Sequence, residues 1–497
     1  MPKEELMNLA LRKNLFYPSA EIYANSPSGF WEFGPTGSAI RRKVIELWRK
    51  KLIEKEGFLE IDGSVILPKE VYEASGHLKS FSDPIVQCLK CNSLHRADEL
   101  IRDAIGGIVP ESLATTELAS LIKKHGLKCP KCGSADFGEV RKFNMMMKVD
   151  IGATGDITCY LRPETCQSIF PDFARIYKNI QKLPLGIAQA GKSFRNEIAP
   201  RNSLLRAREF AQMELEVFFN PEKIDLVEEW KDVENYKINL LLLGKENVQK
   251  FSCTEAAEKK LVSGKLIAYL LARTQQLYEA YGISVEKMRF RQLNNDEKAF
   301  YSKETWDFEV ETDLGWIELV ACNYRTDYDL KGHGAVSRKD LSVTEDGKKF
   351  IPHVFEISAG IDRTFYVVLD LSYRKEKRGP EERIYLGIVN EIAPYFVAIF
   401  PLVNKDGLPE KAKEINRELD SFGFETSYEA KASIGRRYAR IDEIGVPYAI
   451  TVDYDSMKDQ AVTLRERDSL GQKRVKIQDL ANILWLLKNN KKKFSGL

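Results

Sequence analysis

The chain reads as an α+β protein: an antiparallel, loop-rich body carrying inserts, followed from about residue 384 by a separate α/β domain. Three observations predict this. Strand-like runs recur through the body, among them SFRNEIAPRNSLLRAREFAQMELEVFF (193–219), WDFEVETDLGWIELVACNY (306–324) and the start of HVFEISAGIDR (353–363). Two CxxC pairs interrupt the body between about 75 and 150. Past GPEERIYL (379–386) the texture changes, and strand and helix alternate to the end, the pattern of a βαβ domain with a mixed sheet.

Taken in order, EIYANSPSGFWEFGP (21–35) is rich in Gly, Pro and aromatics and forms a shaped loop. Thr36 or Ser38 then caps a helix running to about Gly57, with Ile40, Val44, Leu47, Trp48 and Leu52 on one stripe. FLEIDGSVILP follows as an extended piece stopped by Pro68. An irregular stretch covers 75–150, and short strands alternate with loops over 158–219. Residues 223–282 read as two helices, giving a helical insertion at 222–300. Strands return at 306–324 and 353–360, and TFYVVLDL beyond them is a buried helix or strand. The last domain closes with the helix IQDLANILWLLKNN (477–490). The predicted division is a body over 1–383, with inserts at 75–150 and 222–300, and an α/β domain over 384–497.

With 497 residues the chain holds two to four domains, each large enough for its own core. Its 43% apolar and 30% charged residues describe an ordered protein. Seventy-five basic residues nearly balance 73 acidic ones, so a polyanionic partner must be met by local patches. The first residues lack a charged-then-apolar leader, and KLIAYLLARTQQLYEAY, the most apolar helical piece, is broken by Arg273 and Gln275. The expectation is a cytoplasmic protein with no membrane partner. The lysine-rich tail KNNKKKF reads as a solvated end.

Eight cysteines are too sparse for a disulfide scaffold. Cys88 and Cys91, with Cys129 and Cys132, have the spacing of two knuckles that close a tetrahedral zinc site. Four thiolates leave no open coordination position, so the ion is structural. His95 reads as a surface residue, and Cys159, Cys166, Cys253 and Cys322 as core or pocket-wall thiols.

Charge of both signs is threaded through residues 193–219. Arg195 and Glu197 lie two apart and share a face if extended; on the returning strand Gln212, Glu214 and Glu216 share one face while Met213, Leu215 and Val217 share the other. Two readings fit: an edge hairpin laced with ion pairs, or a binding floor for a charged partner. Guanidinium forks match phosphate, an aromatic ring stacks on a base and paired carboxylates hold an ammonium, so the ligand of a floor would be an amine plus a nucleotide phosphate. The chemistry repeats at Arg162 and Glu164, at Glu318 with Arg325, Asp327 and Asp329, and at Glu356, Ser358 and Arg363. Neither a Ser/His/Asp arrangement nor a Gly-rich loop ending in GK[ST] is present, and five histidines give no plausible base. What remains is catalysis by positioning two reactants and neutralising phosphate charge, with a divalent cation from solution.

From about residue 10 onwards the chain closely resembles the glycyl-tRNA synthetases of the archaeal/eukaryotic-like homodimeric type, which are class II aminoacyl-tRNA synthetases. The helix and strand ending at Pro68 are similar to the family's dimerisation motif, FRNE with Arg206 to Phe210 to its second motif, and GIDR (360–363) to its third. Further matches are FWEFGP, LRPET, RNEIAPRNSLLRAREFAQMELE, RTDYDL, PHVFEISAGIDR, IGRRYARIDEIGVPYAITVDY and TLRERDS. The resemblance implies a class II antiparallel sheet flanked by helices, a zinc-binding insertion and a C-terminal anticodon-binding α/β domain.

It implies that Arg195 holds the ATP α-phosphate and that Glu197 and Phe210 bind adenine. Arg206 and Arg363 clamp the outer phosphates, and Glu318 holds Mg2+. Glu164, Glu214, Glu356 and Ser358 bind the glycine ammonium, and Arg325 serves its carboxylate or the pocket wall. Arg201, Arg208, Glu209 and Glu216 would serve the loop, the acceptor end or their neighbours. Arg436, Arg437, Arg440 and Arg465 are the candidates for contact with tRNA(Gly). The implied reaction is glycine activation to glycyl-adenylate and transfer to the 3′ end of tRNA. Rejecting larger amino acids by rigid walls needs no editing domain. TCQS at 165–168 replaces the more usual TAQG, and Ala321 stands where glycine is common. An enzyme that only makes adenylates, or an RNA-binding relative without catalysis, would be expected to have lost the C-terminal arginines or Arg195, Glu197, Phe210 and Arg363; all are present.

Overall fold

The computed structural model describes residues 4–497 except 107–108, 111–112, 199, 201, 300 and 379–380. Arg201 and the Gly379–Pro380 step of the predicted junction therefore lie outside the described residues. The body is built on a nine-stranded sheet. Its central strands are, in spatial order, Met288–Gln292, Glu304–Thr312, Gly315–Thr326, His353–Gly360, Glu209–Phe219 and Leu185–Phe194, all antiparallel. At the margins Lys237–Leu241 and the two-residue strand Leu59–Glu60 join in parallel, and Gln249–Ser252 completes one edge. The predicted antiparallel sheet is thus mixed at its borders.

Alternation along Glu209–Phe219 sets the two faces. Met213, Leu215 and Val217 point into a core shared with Ile40, Val44 and Trp48 of helix Pro35–Trp48, Ile267 and Leu270 of helix Lys265–Ala280, and Phe365 of helix Ile361–Ser372. Gln212, Glu214 and Glu216 occupy the opposite face, which ends at Phe218 in a second cluster with Phe170, Phe173 and Leu330.

Several elements differ from the expectation. A helix over Glu4–Arg12 comes first, and the helix expected from Thr36 or Ser38 starts at Pro35 after Gly34, with neither residue as cap; Ser38 lies inside it and its hydroxyl bonds the Phe33 carbonyl. Proline is preorganised for that first turn. The helix continues as a π-turn over Arg49–Glu54. Residues 169–180, read as strand and loop, form helix Ile169–Ile180, whose Pro171 sits in the first turn where a missing N–H costs nothing. The insertion 222–300 is not helical throughout. KINLL is a sheet strand, since a short apolar run does not distinguish a buried strand from a helix, and the α-helices among the described residues of this insertion are Cys253–Glu258 and Lys265–Ala280. TFYVVLDL is helix.

The insertion at 75–150 has its own small core of Val86, Ile101, Leu118, Ile122 and Val140 beside the sheet of Leu94–Arg96, Ser82–Gln87 and Arg141–Asn144. The C-terminal domain is the expected mixed sheet, ordered Thr426–Tyr428, Val397–Pro401, Tyr448–Val452, Ala461–Glu466 and Gln472–Lys476, the first three parallel. The boundary expected at 383/384 falls inside hairpin strand Glu381–Leu386. Among the described residues no helix is long and apolar enough to cross a membrane.

Candidate active site

A cavity of about 410 Å³ opens on the polar face of the sheet. It gathers Glu164, Arg195, Glu197, Arg206, Phe210, Glu318, Glu356, Ser358 and Arg363, nine of the residues singled out in the sequence. Glu214 lies just behind Ser358 and Gln212. The edge-hairpin reading captures the ion pairs and misses this cavity.

Glu214 is fully buried and held by four groups. Thr165 Oγ1 (2.6 Å) and the Cys166 N–H (2.5 Å) donate to Oε2, and Gln212 Nε2 (3.1 Å) and the Ser358 hydroxyl donate to Oε1. Burial raises its pKa and the charge of Glu164 raises it further, against these hydrogen bonds. Glu356, on the neighbouring strand, receives Arg325 Nη1 at 3.0 Å and Asn323 Nδ2 at 2.7 Å. Burial pushes it up to about 7 although Arg325 opposes the shift. Burial acts the same way on Glu164, but His77 at 3.3 Å and the nearby arginines outweigh it and hold this carboxyl below the usual range. Glu216, paired in register with Glu356, is fully buried, and burial followed by the Glu356 charge raises it far above the carboxylate range. The floor is therefore a crowd of carboxylates that repel one another.

Arg325 is placed differently from the carboxylate-binding role. Its guanidinium is 0% exposed, forked onto Asp329 at 2.6 and 2.7 Å and lying 3.8 Å from the Tyr301 ring. It belongs to the wall behind Glu356. Arg162, two residues from Glu164, likewise turns away and ties the Lys192 and Gly63 carbonyls together.

At the other end of the cavity Arg195 leaves strand Leu185–Phe194. Its Nη2 lies 3.2 Å from Glu164 Oε1, and its guanidinium is 5.3 Å from the Phe210 ring centroid. Arg206 donates to Glu197 at 2.8 Å and also to Glu99, which comes from helix Ala97–Ile105 of the insertion. Arg363 bonds the carbonyls of Leu205 (3.1 Å) and Glu318 (3.2 Å) and faces the Glu318 carboxylate at 3.5 Å. Asp362 before it accepts from Arg41 Nε and from the Ala211 N–H, both at 2.9 Å, which fixes the turn that presents Arg363. Asp307 also lines the cavity and is pushed up to about 8 by burial and then by Glu318.

His77, Glu99, Asp307 and Asp362 were missed in the sequence. Asp362 stands inside GIDR, and Asp307 lies on a strand with acidic neighbours at spacing two, signals that were available; His77 and Glu99 arrive from the insertion and had none. Cys166, in place of the more usual alanine, is buried with its Sγ 3.8 Å from Glu164.

The four cysteines converge, their sulfurs all within 4.8 Å of one another. The two knuckles are alike: the Asn92 and Gly133 N–H groups close turns onto the Cys88 and Cys129 carbonyls at 2.8 Å, and both residues have positive φ. This donor set fits a tetrahedral thiolate-bound ion. His95 is not a free surface residue; its Nε2 stands 3.3 Å from Cys129 Sγ and 2.8 Å from Ser93 Oγ, beside the cluster.

In the last domain the four arginines separate. Arg437 is buried with its guanidinium on the Pro401 and Leu402 carbonyls, and Arg465 is buried in a two-pronged bond to Asp442 at 2.9 and 2.7 Å. Both are structural, because each guanidinium is buried and donates to protein acceptors, with almost no exposed edge to present to RNA. Arg436 is exposed, and Arg440, half-exposed, pairs with Glu429.

Comparison with known proteins agrees with this architecture. Residues 153–372 match the family described as tRNA synthetase class II core domain (G, H, P, S and T), and 396–485 match the anticodon binding domain. The chain is 38% identical to a glycine–tRNA ligase of Methanocaldococcus jannaschii, over 97% of this chain and 98% of that protein. It is 37% identical to one of Pyrococcus horikoshii (96% and 97%) and 36% to one of Methanothrix thermoacetophila (97% and 96%). With a class II body, a cavity that joins carboxylates to arginines and full-length similarity to these enzymes, the chain belongs to the glycine–tRNA ligase family of class II aminoacyl-tRNA synthetases.

Proposed function

We propose that the cavity binds ATP at its arginine end and glycine at its carboxylate end, forms glycyl-adenylate and passes the glycyl group to tRNA(Gly). The observation that carries this is the crowding of carboxylates at one end of the cavity, Glu164 and Glu356 on its wall and Glu214 buried directly behind Ser358. Their mutual repulsion is relieved by a cation, and a compact ammonium is the cation an amino acid supplies. Ser358 and Gln212, bonded to Glu214, stand between that carboxylate and the cavity and carry its charge to the floor through their hydrogen bonds.

With the ammonium anchored, a glycine carboxylate oxygen attacks the α-phosphorus of ATP, and the bond to pyrophosphate breaks. Arg195 neutralises charge on the α-phosphate, Arg206 and Arg363 receive the outer phosphates, and Glu197 and Phe210 hold the adenine edge and face. Glu318, with Asp307 beside it in the lining, would hold Mg2+, which would neutralise phosphate charge. A terminal ribose hydroxyl of the tRNA then attacks the glycyl carbonyl, and AMP leaves. Arg436 and Arg440 are the remaining arginine candidates for tRNA contact. The cysteine cluster would hold structural Zn2+, which would stabilise the insertion that brings Glu99 to Arg206.

The same reading takes the residues before the hairpin strand Glu381–Leu386 as catalytic body and those after it as anticodon-binding domain. It makes the enzyme a cytoplasmic homodimer joined near helix Pro35–Trp48, which sedimentation would test. Glycine-dependent pyrophosphate exchange, run beside alanine and serine and followed by charging of unfractionated tRNA, tests the activity. Exchange is expected with glycine alone; equal exchange with alanine would overturn the specificity.

A further inference from the structure

Behind the substrate cavity lies a second one of about 750 Å³, and Leu293 and Thr305 line both. Three lysines, Lys260, Lys298 and Lys303, face this second space. Lys298 Nζ donates to the Lys303 carbonyl at 3.0 Å, and Lys303 Nζ stands 5.1 Å from the Tyr324 ring. Among the described residues none of the three forms an ion pair with a carboxylate.

Two acids share the lining, and both are already committed. Asp225 Oδ1 accepts the Lys265 N–H at 2.9 Å, in the first turn of helix Lys265–Ala280. Glu304 accepts the Ser263 N–H at 2.9 Å and Trp306 Nε1 at 2.7 Å. Three lysines against two acids leave the lining with an excess positive charge, and the lysines supply mobile donors for an anion. Gln292, Asn294 and Asn295 add amides suited to the edge of a base or a sugar hydroxyl.

One loop forms the wall between the cavities. It turns at Asn294, whose Oδ1 accepts the N–H groups of Asp296 (2.8 Å) and Glu297 (3.0 Å). Glu297, Ala299 and Tyr301 face the substrate cavity, while Asn294, Asn295 and Lys298 face the second one.

We propose that the lysine-lined cavity is an accessory site for a nucleotide phosphate, outside the site for ATP and glycine. The shared chemistry has two sources: a free nucleotide, or a nucleotide of the tRNA whose end must enter the adjoining cavity. The second source rests on the function proposed above; the first does not.

The test begins with enzyme whose substrate cavity is filled by a non-hydrolysable glycyl-sulfamoyl adenosine, titrated calorimetrically with CMP and AMP. In parallel, tRNA charging and glycine-dependent pyrophosphate exchange are measured for Lys260→Ala, Lys298→Ala and the double variant. A free-nucleotide site predicts one further nucleotide bound per chain, weakened about tenfold by each substitution. A tRNA site predicts no such binding but a KM for tRNA raised about tenfold in the variants, with exchange unchanged for Lys260→Ala, which lies outside the shared loop. No added nucleotide together with an unchanged KM for tRNA, or nucleotide binding that the substitutions leave intact, would overturn the proposal. Exchange by the unaltered enzyme reads the ATP and glycine site separately.

Discussion

Arg325 and Glu356 meet at 3.0 Å, Nη1 to Oε1, with side-chain exposures of 0% and 3%, at the base of the carboxylate end of the cavity. The pair makes one buried guanidinium answer to two carboxylates, since Asp329 holds the other prongs. Removing the cation leaves both acids uncompensated in a dry wall. Arg325→Met is therefore expected to cost about 3–5 kcal/mol in urea denaturation, and adding Glu356→Gln should restore part of it. An unchanged urea midpoint would show that the wall does not depend on this pair.

The raised Glu356 carboxyl gives a pH dependence of defined sign. Its folded value, about 7, lies above the usual carboxylate range. Its contribution to stability is thus full below that range and is lost as pH rises towards about 7. Glycine affinity runs the other way, because an ammonium is best held by the ionised acid. The KM for glycine in exchange should fall as pH climbs through that region, and Glu356→Gln should flatten the step.

Arg195→Ala should lower glycine-dependent exchange by about a hundred- to a thousandfold. The side chain is partly exposed and bonds Glu164 and the Pro163 carbonyl, so the thermal transition should move little. Near-normal exchange would remove Arg195 from the phosphate end.

Metal analysis should find one zinc per chain, lost in Cys129→Ser. His95→Ala should retain the ion but release it faster to a competing chelator, because the imidazole touches Cys129 Sγ without being needed to complete four thiolates. Loss of zinc should also weaken ATP use, as Glu99 reaches Arg206 from the same insertion.

The C-terminal arginines should divide by burial. Arg437→Ala and Arg465→Ala each strand buried acceptors, and are expected to cost about 1–3 kcal/mol in domain stability. Arg436→Ala should leave stability alone and raise the KM for tRNA in charging, with exchange unchanged.

What the chain determines by itself is what local spacing encodes. Period two along 209–219 separates Gln212, Glu214 and Glu216 from the apolar Met213, Leu215 and Val217, and the structure keeps that separation. The CxxC spacing of Cys88, Cys91, Cys129 and Cys132 likewise suffices for a four-sulfur cluster, because each knuckle closes on its own backbone. Only the tertiary structure decides which charges are free to act. Arg436, Arg437, Arg440 and Arg465 are alike as letters; burial against Asp442 and strand-end carbonyls turns two of them into structural groups. In the same way KINLL becomes a strand because a sheet edge receives it, and His77, Glu99 and Asp307 enter the site because distant segments meet there. A charge acquires its role from what desolvates it and what pairs with it, and those neighbours are set by long-range packing rather than by spacing along the chain.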